Sequence, residues 1–246
     1  MKQRDILVLS IGLLAVILFV AGDLTTSSSR LNEYRLSRDL WPIWYNLSIA
    51  TYVPGYITLD SEKVFTLEAD LIIKFWAQKE TNQIELNAWN LNFSSKPHSN
   101  VQIRVDKSFW NINVINVTLS KKLSKVWFTL DQSLQAGKEY YIKIPYTGQI
   151  SDTLFGLYRS FYITANGNKR YLATTQFEPN FARQMVPCFD EPEFKAIWNI
   201  TVIHPKGTRA ISNAKEEVEN QPHTLGSNNN WLMTTFCETP KMSSYY

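Results

Sequence analysis

The sequence predicts an all-β fold: short antiparallel strands forming a two-sheet sandwich or a curved, saddle-like sheet, preceded by an N-terminal hydrophobic helix. Three observations predict it. From Trp41 onward the apolar residues recur with a period of two over short runs, the pattern of half-buried strands. Pairs such as Pro54-Gly55, Ala136-Gly137, Asn166-Gly167 and Lys206-Gly207 punctuate those runs as turns. No segment of 41–246 keeps a helical period beyond a turn or two.

The chain begins with Lys2 and Arg4, and 1–5 reads as a short cytoplasmic tail. Residues 6–22 are apolar apart from Ser10. As a helix they would reach about 26 Å, close to the core of a thin bilayer. An uncleaved signal anchor fits this length. A signal peptide cleaved near Val20-Ala21-Gly22 fits the small residues at its end. Both readings put everything after Asp23 outside the cytosol, either as a single-pass type II plasma-membrane protein anchored by 6–22 or as a secreted one. Residues 23–37 include Thr25-Thr26-Ser27-Ser28-Ser29 and too few apolar side chains to offset the entropy of ordering, so they read as a flexible stalk. Residues 38–246 are then the β-domain.

Within that domain Ile43, Tyr45, Leu47, Ile49 and Val53 mark a first strand, and Phe65, Leu67, Ala69, Leu71, Ile73 and Phe75 a second. Ile84, Leu86 and Ala88 continue the pattern, followed by Val101, Ile103 and Val105. Val126, Phe128 and Leu130, then Tyr140, Ile142 and Ile144, then Trp198, Ile200 and Val202 mark later strands. Residues 180–185 are the best candidate for a short helix, and 236–246 read as a final strand. Four Asn-x-Ser/Thr sequons, at Asn46, Asn92, Asn116 and Asn199, lie downstream of the export segment and make a glycoprotein the expectation.

A net charge of +3 over 246 residues, with no dense Lys/Arg stripe, gives no case for nucleic acid. Two cysteines are no disulfide framework; Cys188 and Cys237 either pair, as an extracellular setting permits, or stay free. The three histidines, His98, His204 and His223, stand next to prolines and read as loop residues. None is followed by Glu and no two are four apart, so the chain has no His-Glu-x-x-His zinc site. Nor does it carry a Gly-rich phosphate loop or a nucleophile elbow.

The densest mixture of residue types is 171–192. Gln176 and Glu178 stand two apart, which in extended backbone puts amide and carboxylate on one face. Such a pair is either the solvated face of an ordinary strand or a grip for a ligand carrying an ammonium and a carbonyl. Pro187 and Pro192 bracket Cys188, Phe189, Asp190 and Glu191 as an apolar and acidic turn. Arg183 is close enough in sequence to bridge back to that acidic pair bidentately; solvated charges are the plainer alternative.

Thr174-Thr175-Gln176-Phe177-Glu178-Pro179, then Ala182-Arg183, then Pro187-Cys188-Phe189-Asp190-Glu191-Pro192 resembles the signature of the aminopeptidase N family of zinc metallopeptidases, in its N-terminal β-domain. Gly156-Leu157-Tyr158-Arg159-Ser160, Arg38-Asp39-Leu40-Trp41-Pro42 and Thr239-Pro240-Lys241-Met242-Ser243-Ser244-Tyr245 resemble other anchors of that domain, in order. Asn180-Phe181 and Cys237 depart from the family pattern. The resemblance implies that Gln176 helps hold the first residue of a peptide and that Glu178 binds its free α-ammonium. It implies structural roles for Arg183, Asp190 and Glu191, and a buried free thiol for Cys188. It also implies a catalytic domain in cis, absent from this sequence, that brings the zinc; this chain holds no cofactor and by itself is expected to hydrolyse nothing. On that reading it is a fragment whose docking face, with Phe177, Phe181 and Phe189, lies exposed. The alternative is a stand-alone extracellular module, catalytically inactive, that binds peptide N-termini or a protein partner.

Overall fold

The structure, a computed structural model, describes residues 33–93, 102–105, 111–226 and 228–246. The expected tail and anchor helix, and 23–32 of the expected stalk, lie outside the described residues, as does His98. Among the described residues no helix is long and apolar enough to cross a membrane. Residues 37–246 form one unit; of the unit before it only 33–36 are described, with Glu33 and Tyr34 helical.

Thirteen strands make up the described fold. In order they are β1 (Leu40–Thr51), β2 (Thr66–Ala77), β3 (Thr81–Asn87), β4 (Leu91–Phe93), β5 (Gln102–Val105), β6 (Asn111–Ser120) and β7 (Lys125–Leu134). Then follow β8 (Glu139–Gln149), β9 (Gly156–Ile163), β10 (Lys169–Gln176), β11 (Ile197–Pro205), β12 (Glu216–Leu225) and β13 (Asn228–Phe236). The helical content of this unit is two short 3-10 turns, Ser61–Lys63 and Ala182–Gln184. The second falls inside the predicted 180–185.

Eleven strands share one sheet in the order β12-β13-β11-β1-β2-β8-β5-β6-β7-β3, with β4 also on β8. β9 and β10 form a separate hairpin. The class is as expected, but the arrangement corrects the prediction twice. Of the two expected forms, the two-sheet sandwich is not what forms: eleven strands share one continuous sheet, in line with the single-sheet alternative. Nor are all pairs antiparallel: β1 runs parallel to β11, with Tyr45 opposite Trp198 and Asn46 opposite Asn199. Alternation tells which face of a strand is buried; it carries nothing about the direction of a neighbour that arrives 150 residues later, about the separation of these partners.

The buried faces follow the sequence period. Leu67, Leu71, Ile73 and Phe75 of β2 are fully buried, as are Ile84 and Leu86 of β3, Phe128 of β7, and Ile142 and Ile144 of β8. Across the parallel pair the Tyr45 ring stacks on Trp198 at 3.9 Å and 4°. Strand β12 is mostly exposed along its length, and so offered no alternation to read.

The predicted final strand at 236–246 is not one. β13 ends at Phe236, and the following residues meet the start of β11 through one bridge, Ala196 with Met242. Pro240, lacking an N–H, interrupts the ladder there; side chains take over, with Trp198 N donating to Thr239 Oγ1 at 3.0 Å. Two histidines also depart from expectation. His204 lies in β11, buried, between Thr208 Oγ1 (2.8 Å) and Thr234 Oγ1 (3.1 Å). Burial lowers its pKa. His223 lies in β12 opposite Trp231. A proline next to a histidine need not mark a loop: Pro205 is the last residue of β11, and Pro222 lies in β12, an edge strand, positions where a missing N–H is tolerated.

Candidate peptide-binding edge and its buried support

Strand β10 ends at Gln176, not beyond Glu178. Phe181 N donates to Phe177 O at 2.7 Å and closes a turn around Glu178 and Pro179, whose connecting peptide bond is cis. Pro179 has no N–H to extend a ladder, so the strand that was to carry both groups stops two residues short. Gln176 and Glu178 are nevertheless both exposed. The pKa of the Tyr246 phenol is raised, first by its hydrogen bond with Tyr245 and least by the charge of Glu178.

Opposite Gln176 in the hairpin stands Gly156, with φ +69°. A Cβ there would fall 2.5 Å from Gln184 Cβ, so the close approach of β9 to the 3-10 turn requires glycine. Phe155, one residue earlier, stacks on Phe181 at 4.5 Å.

Beneath this exposed edge lies a buried polar cluster. Arg183 Nε donates to Asp190 Oδ2 at 2.7 Å, and Arg183 Nη2 donates to the Asp190 carbonyl at 2.8 Å. Asp190 is 2% exposed. The pairing is not the two-toothed clamp on a carboxylate that the spacing suggested, because Asp190 Oδ1 is already taken by the Ser244 hydroxyl at 2.6 Å. Asp190 N donates to Asn87 Oδ1 at 3.1 Å. The backbones of Asn87 and Cys188 exchange two hydrogen bonds, at 2.9 and 3.1 Å. Phe189 N donates to Tyr45 Oη at 3.1 Å, and Trp89 N to Arg183 O at 2.8 Å. Glu191 is buried too, and its carbonyl accepts Phe194 N at 3.1 Å.

Burial raises the pKa of two neutral groups packed beside this cluster. The Cys188 thiol is pushed well up by loss of solvent, then by the Asp190 charge, with Arg183 opposing. The Tyr45 phenol is raised for the same leading reason. Both stay neutral at ordinary pH, as a packed interior requires. Cys188 is buried and free, Cys237 exposed and free.

Of the phenylalanines expected on an open docking face, Phe177 and Phe181 are half-buried and Phe189 is buried, at 2% exposure. Phe189 is the correction: its ring packs against Phe194 at 5.4 Å, in the buried core. Exposed apolar residues do line the hairpin and its approach, at Leu154, Phe155, Phe161, Tyr162 and Ile163, while others, such as Ile115, Leu119 and Ile211, are scattered over the rest of the surface. The sequence reading missed Asn87, Ser244, Tyr45 and Gly156 as members of this region. Asn87 had a signal: it is a polar residue out of phase with Ile84, Leu86 and Ala88, yet fully buried. The four sequon asparagines divide. Asn92 and Asn116 are exposed, whereas Asn46 and Asn199 are half-buried in the sheet. Among the described residues no group of three or more His, Cys, Asp or Glu side chains is placed to hold a metal ion.

The family model for the peptidase M1 N-terminal domain matches residues 41–246. The chain belongs to that family. Aminopeptidase N of Haemonchus contortus is 36% identical over 213 residues, which is 87% of this chain and 21% of the relative. Aminopeptidase N of Rattus norvegicus is 33% identical over 214 residues, again 87% of this chain and 21% of the relative. The thyrotropin-releasing hormone-degrading ectoenzyme of Rattus norvegicus is 30% identical over 214 residues, covering 18% of its length. The chain thus spans about a fifth of the curated relatives it matches.

Proposed function

We propose that this chain is the N-terminal substrate-anchoring domain of an aminopeptidase N-like zinc metalloaminopeptidase, an exported protein whose parent activity is the release of N-terminal residues from peptides. The observation that carries the reading is the exposed carboxylate of Glu178, beside exposed Gln176, on a turn anchored to a buried charged cluster. The carboxylate accepts hydrogen bonds from a peptide's α-ammonium, and the Gln176 amide orients the first residue. A charge-assisted bond of this kind contributes about 1.5–3 kcal/mol, enough to separate a free N-terminus from a blocked one. Holding that end fixes where the first peptide bond lies, an orientation effect. Bond cleavage and its zinc belong to a catalytic domain in cis. Residues 6–22 hold the protein in the plasma membrane with its β-domain outside, or direct its secretion; the name of the rat ectoenzyme relative agrees with an external setting.

A titration of the chain with a dipeptide amide, followed by NMR at the Gln176 side-chain amide, tests the reading. The free-amine ligand shifts that resonance and its N-acetyl counterpart does not; equal response to both contradicts it. A second reading, a stand-alone binding module, draws on the exposed Phe161, Tyr162 and Ile163 of the hairpin as a partner surface. The transcript beyond Tyr246 separates the two. An open frame running into His-Glu-x-x-His supports the first, and a stop codon the second.

A further inference from the structure

Two of the four sequons are brought together by the parallel pairing of β1 and β11. In register, Asn46 lies opposite Asn199, Leu47 opposite Ile200 and Ser48 opposite Thr201, so the two acceptor tripeptides run side by side in the same direction. Their shared face follows from their neighbours. Tyr45 and Trp198, one position earlier on each strand, stack on each other in the buried interior. Successive side chains on a strand point to opposite faces. Asn46 and Asn199 therefore both project from the outer face of the sheet, where both are half-exposed. Adjacent strands are about 4.8 Å apart, less than the width of an N-acetylglucosamine carrying its acetamido group. β2 closes the other side of Asn46, which is paired with Ile72, so its glycan has no room to lean away within the sheet. Before folding no such conflict exists, because the two sequons are far apart in the chain and the transferase meets each separately.

We infer that Asn46 and Asn199 are mutually exclusive glycosylation sites: a folded molecule carries one N-glycan on this pair, not two. The inference rests on the export half of the proposed function and on no part of its peptide-binding half. Its consequence is spatial. With a bulky, hydrated glycan on it, the outer face of β1 and β11 is a solvent face, and another domain seats elsewhere.

The test uses the full chain made in a eukaryotic secretory pathway, with Asn92→Gln and Asn116→Gln introduced so that only the pair remains. Intact mass of the exported protein, recovered from the medium or from the plasma membrane, after trimming each glycan to a single sugar, counts glycans per molecule. One is the expected result. Two on exported, folded molecules overturns the inference, and so does none when Asn92 or Asn116 of the unaltered chain is modified. Absence of glycan from every sequon of the unaltered chain overturns the export reading itself and the inference with it. Thr201→Ala and Ser48→Ala, each added singly, complete the test. Disabling either sequon removes the clash between two glycans, so the remaining site is occupied in exported molecules and the doubly modified, retained fraction disappears. A neighbour that stays bare shows that something other than crowding keeps it empty, which contradicts mutual exclusion.

Discussion

The edge that carries Gln176 and Glu178 and the cluster that carries Arg183 and Asp190 lie within fifteen residues of chain, an interval of roughly four helical turns' worth of sequence, yet they obey opposite rules. In the cluster the central carboxylate is buried and met: Asp190 accepts from Arg183 on one oxygen and from Ser244 on the other. On the edge the charge is left in solvent. A buried ionic group that is fully met contributes little against an apolar replacement but is costly to break. An exposed one contributes almost nothing to folding and is free to meet a ligand. On the proposed reading the first region holds the turn in place and the second is what the turn presents.

The sharpest way to break that contrast is Asp190→Ala. It leaves the Arg183 guanidinium, with 11% of its side chain exposed, without its carboxylate. A loss of about 3–5 kcal/mol in urea unfolding is expected, and no loss would mean that the cluster is not a support at all. Gly156→Ala comes next. It combines a left-handed φ with a contact at 2.5 Å, and about 1–3 kcal/mol is the expected cost; the same change at Gly167, where φ is +77° but nothing lies near, isolates the steric part.

A smaller effect is expected from pH. His204 has a folded pKa below its ordinary value of 6.5, so the unfolded chain binds the proton more tightly. Its contribution to stability is complete above pH 6.5 and declines as pH falls from there through the folded pKa. Denaturation midpoints between pH 7.5 and about 5.5, above the usual carboxylate range, fall on acidification. In His204→Gln that slope is lost. Smallest of all in stability is Glu178→Gln, expected within about 0.5 kcal/mol of the parent chain because the group is exposed and no fold contact depends on it.

Much of this architecture was legible. The two-residue period located the interiors of β1, β2, β7 and β8, and the punctuating turns separated them. What escaped were pieces whose placement depends on distant partners. β12 pairs as an exposed edge and shows no alternation. The parallel run of β11 beside β1 rests on the Tyr45–Trp198 stack, which no local pattern records. Segment 237–246 looked like a strand by composition but meets β11 through a bridge and side-chain bonds. At the site, Gln176, Glu178, Arg183 and Asp190 stood out by type and spacing. Asn87 and Ser244 did not, since they act from 103 and 54 residues away from Asp190, and Phe189 was misplaced because its ring serves the core and not a docking face.

The most direct test measures stability and ligand preference on the same variant. For Glu178→Gln, the melting temperature should stay that of the parent chain, while the preference for a free over an acetylated dipeptide N-terminus falls by about tenfold to a hundredfold. A variant that keeps its preference, or that loses its fold along with it, would contradict the assignment of this carboxylate to the ligand.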